Sequence, residues 1–496
     1  MKKHIGLSII LASTLSFGAS NSDLKALKAE IEALKKEVAE MKAAKTETTS
    51  EEGDSAIQKL TKKVNEIKAH DAGDNIKWGV DLRTAMDSLN YTMADGTKKS
   101  KDSLLTTRLY LNMEFAPDDN NIFRGVLAYN KAFGADFGGN GTGAMPRGWG
   151  MDTFDWITNE SLSGNGLKVK EAYWLYMGDS MGNANVPWTV SVGRRPSTDG
   201  MLVNFREGDD TYKSPLAHMI NVEFDGASAS ANLENVVGIP GAAVKLCLGQ
   251  GSTNATPMFS GATNYTDDQN SINDIRLAGL IITPYDNGQI TSKIQIYRAF
   301  DLPGYSMADM MTMMGGGAAP TTMYQVGDMD GLAWSTLVNG LSDDGILADT
   351  KVFASLAMSK THPNGTNGGM LGSLDSEIGT SYWVGAQVPL VGGKFGLEYN
   401  HGSKYWRPFT YGEDTMAGSK LAVRGDAWEA YYNYPVTKAL SLEARYTMID
   451  YDYTGSNNFF GADGMPMTIA QANGAGIGGM AIDKSSDLRI SARYKF

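Results

Sequence analysis

The sequence contains a single cysteine, Cys247, so an intramolecular disulfide cannot form. No two histidines have the spacing that sets metal ligands on one helical face, and no Gly-x-Ser-x-Gly segment is present. Beyond the first twenty residues there is no apolar run of about 18 residues, the length that a membrane-spanning helix requires. These absences exclude a disulfide scaffold, the common metallohydrolase and serine-hydrolase sites and a helical membrane protein. The sequence therefore predicts no enzymatic activity, no cofactor and no metal site.

The charge balance narrows the possible partners. The chain has 44 basic and 56 acidic residues and a net charge of -12, which argues against nucleic acid as a partner. Its mean hydropathy of -0.27 is that of an average soluble protein. A transmembrane β-barrel has the same average, because only every second residue of each strand faces lipid. All 14 arginines lie after residue 72.

The N-terminus has the pattern of an export signal. Two lysines precede an apolar segment at residues 5–17, and the small residues Gly18 and Ser20 follow it. This arrangement predicts a secretory signal peptide over residues 1–19.

Residues 20–72 have a helical pattern. Apolar residues recur at alternating steps of three and four, the spacing of coiled-coil core positions. These positions are Leu24, Leu27, Ile31, Leu34, Val38 and Met41. A shorter block with the same spacing covers residues 57–67. The segment is predicted to be a coiled coil that joins copies of the chain; a pair of solvated amphipathic helices is the alternative.

From residue 73 onward the apolar period changes to two, which indicates β-strands. The last ten residues alternate without error between apolar and polar side chains. Leu488, Ile490, Ala492, Tyr494 and Phe496 share one face, and Asp487, Arg489, Ser491, Arg493 and Lys495 share the other. Sixteen such strands are predicted, or eighteen if weak segments are counted, and short connections alternate with long ones.

Some of these assignments are less regular than the last strand. The sixth strand is expected at residues 217–225 and the tenth at 321–327, with a helix at 332–341. Residues 226–241 could hide a further strand, and residues 90–103 are expected to form a long outer connection.

The strand that ends in Tyr494 and Phe496, together with the signal peptide and the coil, resembles Gram-negative outer-membrane porins. It is most similar to porin-like proteins with an N-terminal periplasmic coiled coil. The resemblance implies an all-β transmembrane antiparallel barrel over residues 73–496, placed in the outer membrane among its lipids. It also implies a homo-oligomer, with a trimer favoured, and recognition of Tyr494 and Phe496 by the barrel-assembly machinery. Contact between the coil and the cell wall is a further expectation.

The resemblance further implies passive diffusion of small hydrophilic solutes or ions through a water-filled lumen. An adhesin or structural tether with a plugged lumen is the alternative, and single-channel conductance separates the two.

Arginines on the polar faces of the strands are candidates for lining the pore. They are Arg83, Arg108, Arg445, Arg489 and Arg493. A charge on the lipid face would cost about 2–4 kcal/mol at the bilayer midplane, so the lumen is the favoured side. The alternative is that they only neutralise carboxylates in the lumen.

Porin resemblance also implies a long loop that folds inward and faces such arginines with carboxylates. The 132–168 loop carries Asp136, Asp152, Asp155 and Glu160 and is similar in length and charge, although it follows the third predicted strand. In the general porins the inward loop follows the fifth. Other segments have two further alternatives: Ca²⁺ bound by Asp328 and Asp330 or by Asp450 and Asp452, and Cu(I) bound by clustered methionines, with a solvated or apolar loop as the favoured interpretation of each.

Overall fold

A computed structural model describes residues 76–133, 166–182, 184–255, 272–306, 308–309, 312, 323–410, 415–457 and 464–496. The predicted signal peptide, coiled coil and heptad residues lie outside these ranges.

The described residues form sixteen β-strands. They are β1 Lys77–Met93, β2 Lys98–Phe115, β3 Asn121–Ala132, β4 Lys168–Gly178, β5 Trp188–Arg195, β6 Phe224–Asn232, β7 Ala243–Ser252, β8 Ile275–Asp286, β9 Ile290–Gly304, β10 Tyr324–Asn339, β11 Lys351–Pro363, β12 Ile378–Leu390, β13 Gly393–Gly402, β14 Gly425–Pro435, β15 Leu440–Tyr451 and β16 Ile482–Lys495.

The sixteen strands close into one antiparallel barrel in sequence order. β16 pairs with β1, and Arg83 lies opposite Arg493 in that register. The last residue completes the seam, because Phe496 N donates to Val80 O at 3.0 Å and Val80 N donates to Phe496 O at 2.9 Å. Closure leaves no unpaired sheet edge, which a strand-built membrane protein requires.

The barrel has an apolar outer surface and a polar interior. In β16, Leu488, Ile490 and Tyr494 are 45%, 51% and 46% exposed, whereas Arg489 is fully buried and Asp487 almost so. This distribution is the reverse of a water-soluble protein and is expected where the exterior contacts lipid. The alternation predicted for the last strand is therefore confirmed, as is the number of strands.

Short turns alternate with long connections around the barrel, as the sequence predicts, with one exception. β1 and β2 are joined by a tight turn at residues 94–97, in which Met93 N donates to Thr97 O at 2.8 Å. The expected long connection at 90–103 is wrong because both strands continue through polar residues, and most of the added β2 residues, from Lys98 to Ser103, are exposed.

Two strand assignments from the sequence are wrong. Residues 217–223 are not a strand but part of a buried loop, and the sixth strand is Phe224–Asn232. This strand is built from small residues whose alternation is weak, while the preceding residues are apolar because they pack inside the barrel. The segment that could hide a further strand holds most of β6.

The tenth strand extends much further than predicted. Leu332 and Trp334 are 38% and 51% exposed, and Ala333 and Ser335 between them are buried, which is the alternation of a strand. The expected helix at 332–341 is therefore wrong, because its apolar residues divide between lipid and lumen.

The described helices are short. They include α1 Glu234–Val237, α2 Ile469–Gly474 and 3-10 helices at Val203–Phe205, Gly345–Leu347 and Gly365–Leu371. Thr468 caps α2, with its hydroxyl accepting from Gln471 N and the Gln471 side chain accepting from Thr468 N. No helix in the described ranges has the length and apolar content needed to cross a bilayer.

Candidate functional site in the barrel lumen

A loop between β5 and β6, residues 196–223, folds into the barrel and is called the luminal loop here. Lys170 on β4 holds both of its ends, since its ammonium donates to Thr198 Oγ1 at 2.6 Å and Glu223 Oε1 at 2.7 Å. Within the loop, the fully buried Leu202 adopts φ +83°, a conformation that is strained for a branched side chain. Packing inside the barrel therefore fixes the conformation of this loop.

The tip of the luminal loop crosses to the opposite wall. Phe205 O accepts hydrogen bonds from Gln387 Nε2 on β12 at 3.1 Å and from Asn433 Nδ2 on β14 at 3.3 Å. Asp210 pairs with Lys351 on β11 at 2.8 Å and with Lys394 on β13 at 2.9 Å. The loop thus spans the interior from β5 to β11 and β14.

Glu207 in the luminal loop lies among three of the predicted pore arginines. Its Oε2 is 3.2 Å from Arg108 Nη2 and 3.6 Å from Arg83 Nη1, and its Oε1 is 3.6 Å from Arg445 Nη1. Arg493 Nη1 donates to the backbone oxygen of Glu207 at 2.6 Å. Burial raises the pKa of Glu207, but Arg108, Arg83 and Arg445 outweigh it and hold that pKa well below its usual range.

Arg489 and Arg493 pair with wall carboxylates, and Arg493 Nη2 also lies 3.0 Å from Asp209 Oδ2 of the luminal loop. Arg489 Nε donates to Asp87 Oδ1 at 2.5 Å, and Arg493 Nε donates to Asp81 Oδ1 at 2.8 Å. All five predicted arginines face the interior and are at most 9% exposed. They lie on β1, β2, β15 and β16, which form one continuous sector of the wall.

A second inward loop, residues 403–424 between β13 and β14, brings another cation into the lumen. Lys420 Nζ lies 2.6 Å from Glu398 Oε2 and also binds Glu429. Arg206 of the luminal loop lies 3.4 Å from Glu429, and Trp383 Nε1 donates to Glu398 at 3.0 Å. Sequence reasoning missed this buried cluster because Arg206 and Lys420 both come from loops.

The two inward loops are joined to each other in a part of the lumen that is apolar. Asn221 N donates to Phe409 O at 2.6 Å, and Phe409 N donates to Met219 O at 2.9 Å. Buried apolar side chains of both loops and of the 364–377 loop pack here against the inner faces of β8 to β11. They include Leu216, Met219, Ile220, Val222, Met370, Leu371, Trp406 and Phe409 against Tyr297, Leu302, Val326 and Met329.

His218 is buried at the centre of these contacts. Its Nδ1 lies 2.8 Å from Ser355 Oγ and its Nε2 lies 2.8 Å from Ser381 Oγ. Burial lowers the pKa of His218 to about 3, with a smaller opposing effect of Asn400. The neutral ring can donate to one hydroxyl and accept from the other, so both serines are satisfied at neutral pH.

The carboxylates predicted to face the arginines do not belong to the inward loop that the structure describes. Asp136, Asp152, Asp155 and Glu160 lie outside the described residues, and the luminal loop follows the fifth strand rather than the third. Its sequence signal is a mostly apolar stretch, residues 201–205, interrupted only by Asn204, within a long connection.

The remaining predicted residues make the following contacts. Tyr494 and Phe496 are exposed on the outer surface with their ring centroids 5.3 Å apart. Asp328 and Asp330 pair with Arg298 at 3.0 and 3.4 Å. The described ranges hold no group of three or more His, Cys, Asp or Glu side chains that could bind a metal.

Several solved structures have a similar fold. An anion-selective porin from Comamonas acidovorans is 13% identical with a TM-score of 0.46, covering 85% of this chain and 99% of its own. OmpF of Salmonella typhi, solved with daunomycin, is 10% identical with a TM-score of 0.44, covering 86% and 99%. OprB of Pseudomonas putida is 10% identical with a TM-score of 0.44, covering 87% and 96%.

A closed sixteen-stranded barrel with an apolar exterior is the architecture of outer-membrane proteins, and by this architecture the chain is located in the outer membrane. No curated protein matches the sequence. The family described as "Protein of unknown function (DUF3373)" matches residues 98–496, and the chain belongs to this family.

Proposed function

We propose that the protein is an outer-membrane porin that lets small hydrophilic solutes or ions diffuse through the barrel lumen. The observation that carries the proposal is the position of Glu207, which the luminal loop holds among Arg83, Arg108 and Arg445. The barrel acts here as a channel and performs no covalent chemistry.

The luminal loop would set the size and charge of the passage. It brings a carboxylate to an arginine-rich wall and crosses to Lys351 and Lys394 on the other side. An ion that passes between charged groups a few ångströms away is selected by their field, and dissolved salt weakens that selection. Barrels of sixteen strands are wide enough to hold an aqueous channel before loops enter them.

Conductance of the purified full chain in planar bilayers tests the proposal. We expect single-channel steps whose conductance increases when residues 203–213 are deleted, because the tip of the luminal loop narrows the passage. Heat-modifiable migration on gels, the usual sign of a closed barrel, identifies preparations in which the variant has folded. Folded protein that produces no steps in either form contradicts a porin.

A structural tether with a plugged lumen is the second candidate. It is favoured by the apolar cluster in which the luminal loop, the 364–377 loop and the 403–424 loop pack against β8 to β11. Folded but non-conducting barrels would support this reading, with the outer loops and the N-terminal segment as attachment points.

The proposed assembly partners follow from the two ends of the chain. The heptad residues Leu24 to Met41 would join three copies of the chain and attach the barrel to the cell wall. The exposed rings of Tyr494 and Phe496 lie on the lipid face of the closing strand, where the barrel-assembly machinery would read them.

A further inference from the structure

A cavity lies between the luminal loop and the inner faces of β5 to β9. It is separate from the Glu207 cluster, which faces β1, β2 and β15. Most of its lining is apolar, including Phe224, Leu277 and Ile281. A mostly apolar lining with a few polar groups is typical of sites that bind small organic molecules.

Two basic side chains line the cavity without an acidic partner. Arg195 at the end of β5 is 9% exposed, and its Nε and Nη1 atoms have no hydrogen-bond partner among the described residues. Its guanidinium lies 4.1 Å from the centroid of the Tyr173 ring. Lys245 on β7 donates to Ser214 Oγ at 2.7 Å, and neither cation has a carboxylate within ion-pair distance in the described part of the chain.

Two further residues that line the cavity, Gln295 and Tyr297, each have an unpartnered donor in the described ranges. Gln295 Oε1 accepts from Leu216 N at 2.8 Å, which turns Nε2 of the same amide away from the loop backbone. Neither Gln295 Nε2 nor the Tyr297 hydroxyl has a partner in the described ranges, although both residues are at least 97% buried. Burying a donor without a partner is costly, so such groups in a cavity indicate a ligand that accepts hydrogen bonds.

The contrast with the opposite wall is informative. Arg83, Arg108 and Arg445 are each within 3.6 Å of a loop carboxylate, so that sector is internally balanced. Arg195 and Lys245 face an apolar cavity instead, without a carboxylate within ion-pair distance among the described residues, and an anion in the cavity would stabilise both cations.

We propose that this cavity binds a small organic carboxylate. The carboxylate would accept hydrogen bonds from Arg195, Lys245, Gln295 and Tyr297, and an aromatic or aliphatic body would pack against Phe224 and Ile281. The inference goes beyond conduction and does not depend on it.

Benzoate is the probe, and calorimetric titration of the full chain in detergent is the measurement. We expect saturable binding of benzoate that is at least about tenfold tighter than binding of benzamide, which has the same ring without the charge, since hydrogen bonds to charged groups are the stronger ones. Inorganic phosphate, which has charge without an apolar body, should also bind at least about tenfold more weakly. Equal binding of benzamide or phosphate, or no binding of benzoate at millimolar concentration, overturns the proposal.

Substitutions locate the site. Arg195→Gln and Lys245→Met should each weaken benzoate binding about tenfold. Arg276→Gln is the matched control and should leave it unchanged, because the Arg276 side chain is 62% exposed on β8 and outside the cavity. Gly279→Leu should abolish binding, since a Cβ at this cavity-lining position meets only ordinary contacts at 3.4 Å and the larger side chain would enter the cavity. Unchanged affinity in the folded variants refutes the assignment.

The single cysteine provides a second readout that uses the unmodified protein. Cys247 lines the cavity, so saturating benzoate should slow its alkylation by a small neutral thiol reagent severalfold. A rate that benzoate does not change, or a thiol that never reacts in the folded barrel, contradicts an accessible carboxylate site here. Neither assay uses conductance. A barrel that conducts ions but does not bind benzoate refutes only this inference. A folded barrel that binds benzoate but does not conduct refutes only the porin function.

Discussion

Arg108 on β2 and Glu207 in the luminal loop are joined by an ion pair of 3.2 Å between residues 99 positions apart. Both side chains are buried, at 7% and 9% exposure, so water screens the pair weakly. Because the loop begins after β5, this contact ties the inward loop to the wall next to the seam between β1 and β16. It therefore links the position of the loop to the charge of the wall.

Glu207→Gln should make the channel more selective for anions. The substitution removes the one loop carboxylate that faces Arg83, Arg108 and Arg445, and a unit charge at about 4 Å changes the energy of a passing ion by about 1 kcal/mol even in water. The reversal potential in a salt gradient measures this, and the shift should shrink as salt is raised. Asp343→Asn, in the exposed turn after β10, is the control and should not move it.

A double-mutant cycle tests whether Arg108 and Glu207 act as a pair. Glu207→Gln alone should lower the free energy of unfolding by about 3 kcal/mol, because it leaves buried arginines without their carboxylate. Adding Arg108→Gln should cost less than Arg108→Gln does in the native background, with a coupling of about 1–3 kcal/mol. Urea titration of the folded barrel provides the values, and strictly additive losses would show that the two side chains do not depend on each other.

Introducing glutamate on the wall should make the channel more selective for cations, which is the opposite of the effect expected for Glu207→Gln. Arg83→Glu with Arg108→Glu reverses two charges beside Glu207 and should move the reversal potential towards cations. The replacement also places carboxylates together, so the folded fraction must be measured first by heat-modifiable migration. An unaltered reversal potential in folded channels would mean that ions do not pass this sector, and the plugged tether would then be the better reading.

Much of this fold could be predicted from the period of two in the sequence. The period of two places Arg489 and Arg493 on the face opposite Leu488 and Ile490, and the barrel buries the arginines while exposing the apolar pair. A strand in lipid must hide its charges, so the assignment needs no knowledge of neighbouring strands.

The luminal loop could not be recognised in the same way. Met219, Ile220 and Val222 are apolar, and an apolar residue is equally compatible with a strand facing lipid and with a loop packed inside the barrel. Glu207 is one acidic residue among many, and only the three-dimensional path of the loop brings it to Arg108. The site therefore depends on contacts between distant segments that no local pattern encodes.

His218 should make the folded barrel less stable below neutral pH. The ring is neutral in the fold, with its pKa lowered to about 3, whereas the ordinary value is 6.5. Below pH 6.5 the unfolded chain binds a proton that the folded one excludes, so this contribution is full above pH 6.5 and is lost as the pH falls towards 3. Urea midpoints at pH 7.5 and 5 measure the loss.

His218→Gln isolates this effect from that of the acidic residues. The amide can still donate to one serine and accept from the other, at Ser355 and Ser381, but it does not titrate. We expect a smaller difference between the two urea midpoints in this variant than in the wild type. If the difference between the two midpoints is the same in the variant and the wild type, groups other than His218 cause the pH dependence.

Phe496→Ser should leave export intact but reduce the amount of folded barrel in the outer membrane. The backbone of Phe496 pairs with Val80 and would keep its hydrogen bonds, so the loss would come from the exposed ring beside Tyr494. Tyr434→Ser is the matched control, an exposed aromatic on β14 that is not at the C-terminus. Heat-modifiable protein in outer-membrane fractions is compared between them, and equal amounts would contradict a role as assembly signal.

Deletion of residues 22–70 should weaken the association of subunits without preventing insertion. The barrel from Ile76 to Phe496 is a compact unit with its own closed hydrogen bonding, so it needs no help from the heptads to fold. β-branched Ile31 and Val38 favour two helices, whereas porin resemblance favours three. Chemical crosslinking of the full chain and the deletion variant in membranes shows both the number of copies and its dependence on the segment. Crosslinked species that are identical in the two proteins would place the oligomer contacts on the barrel itself.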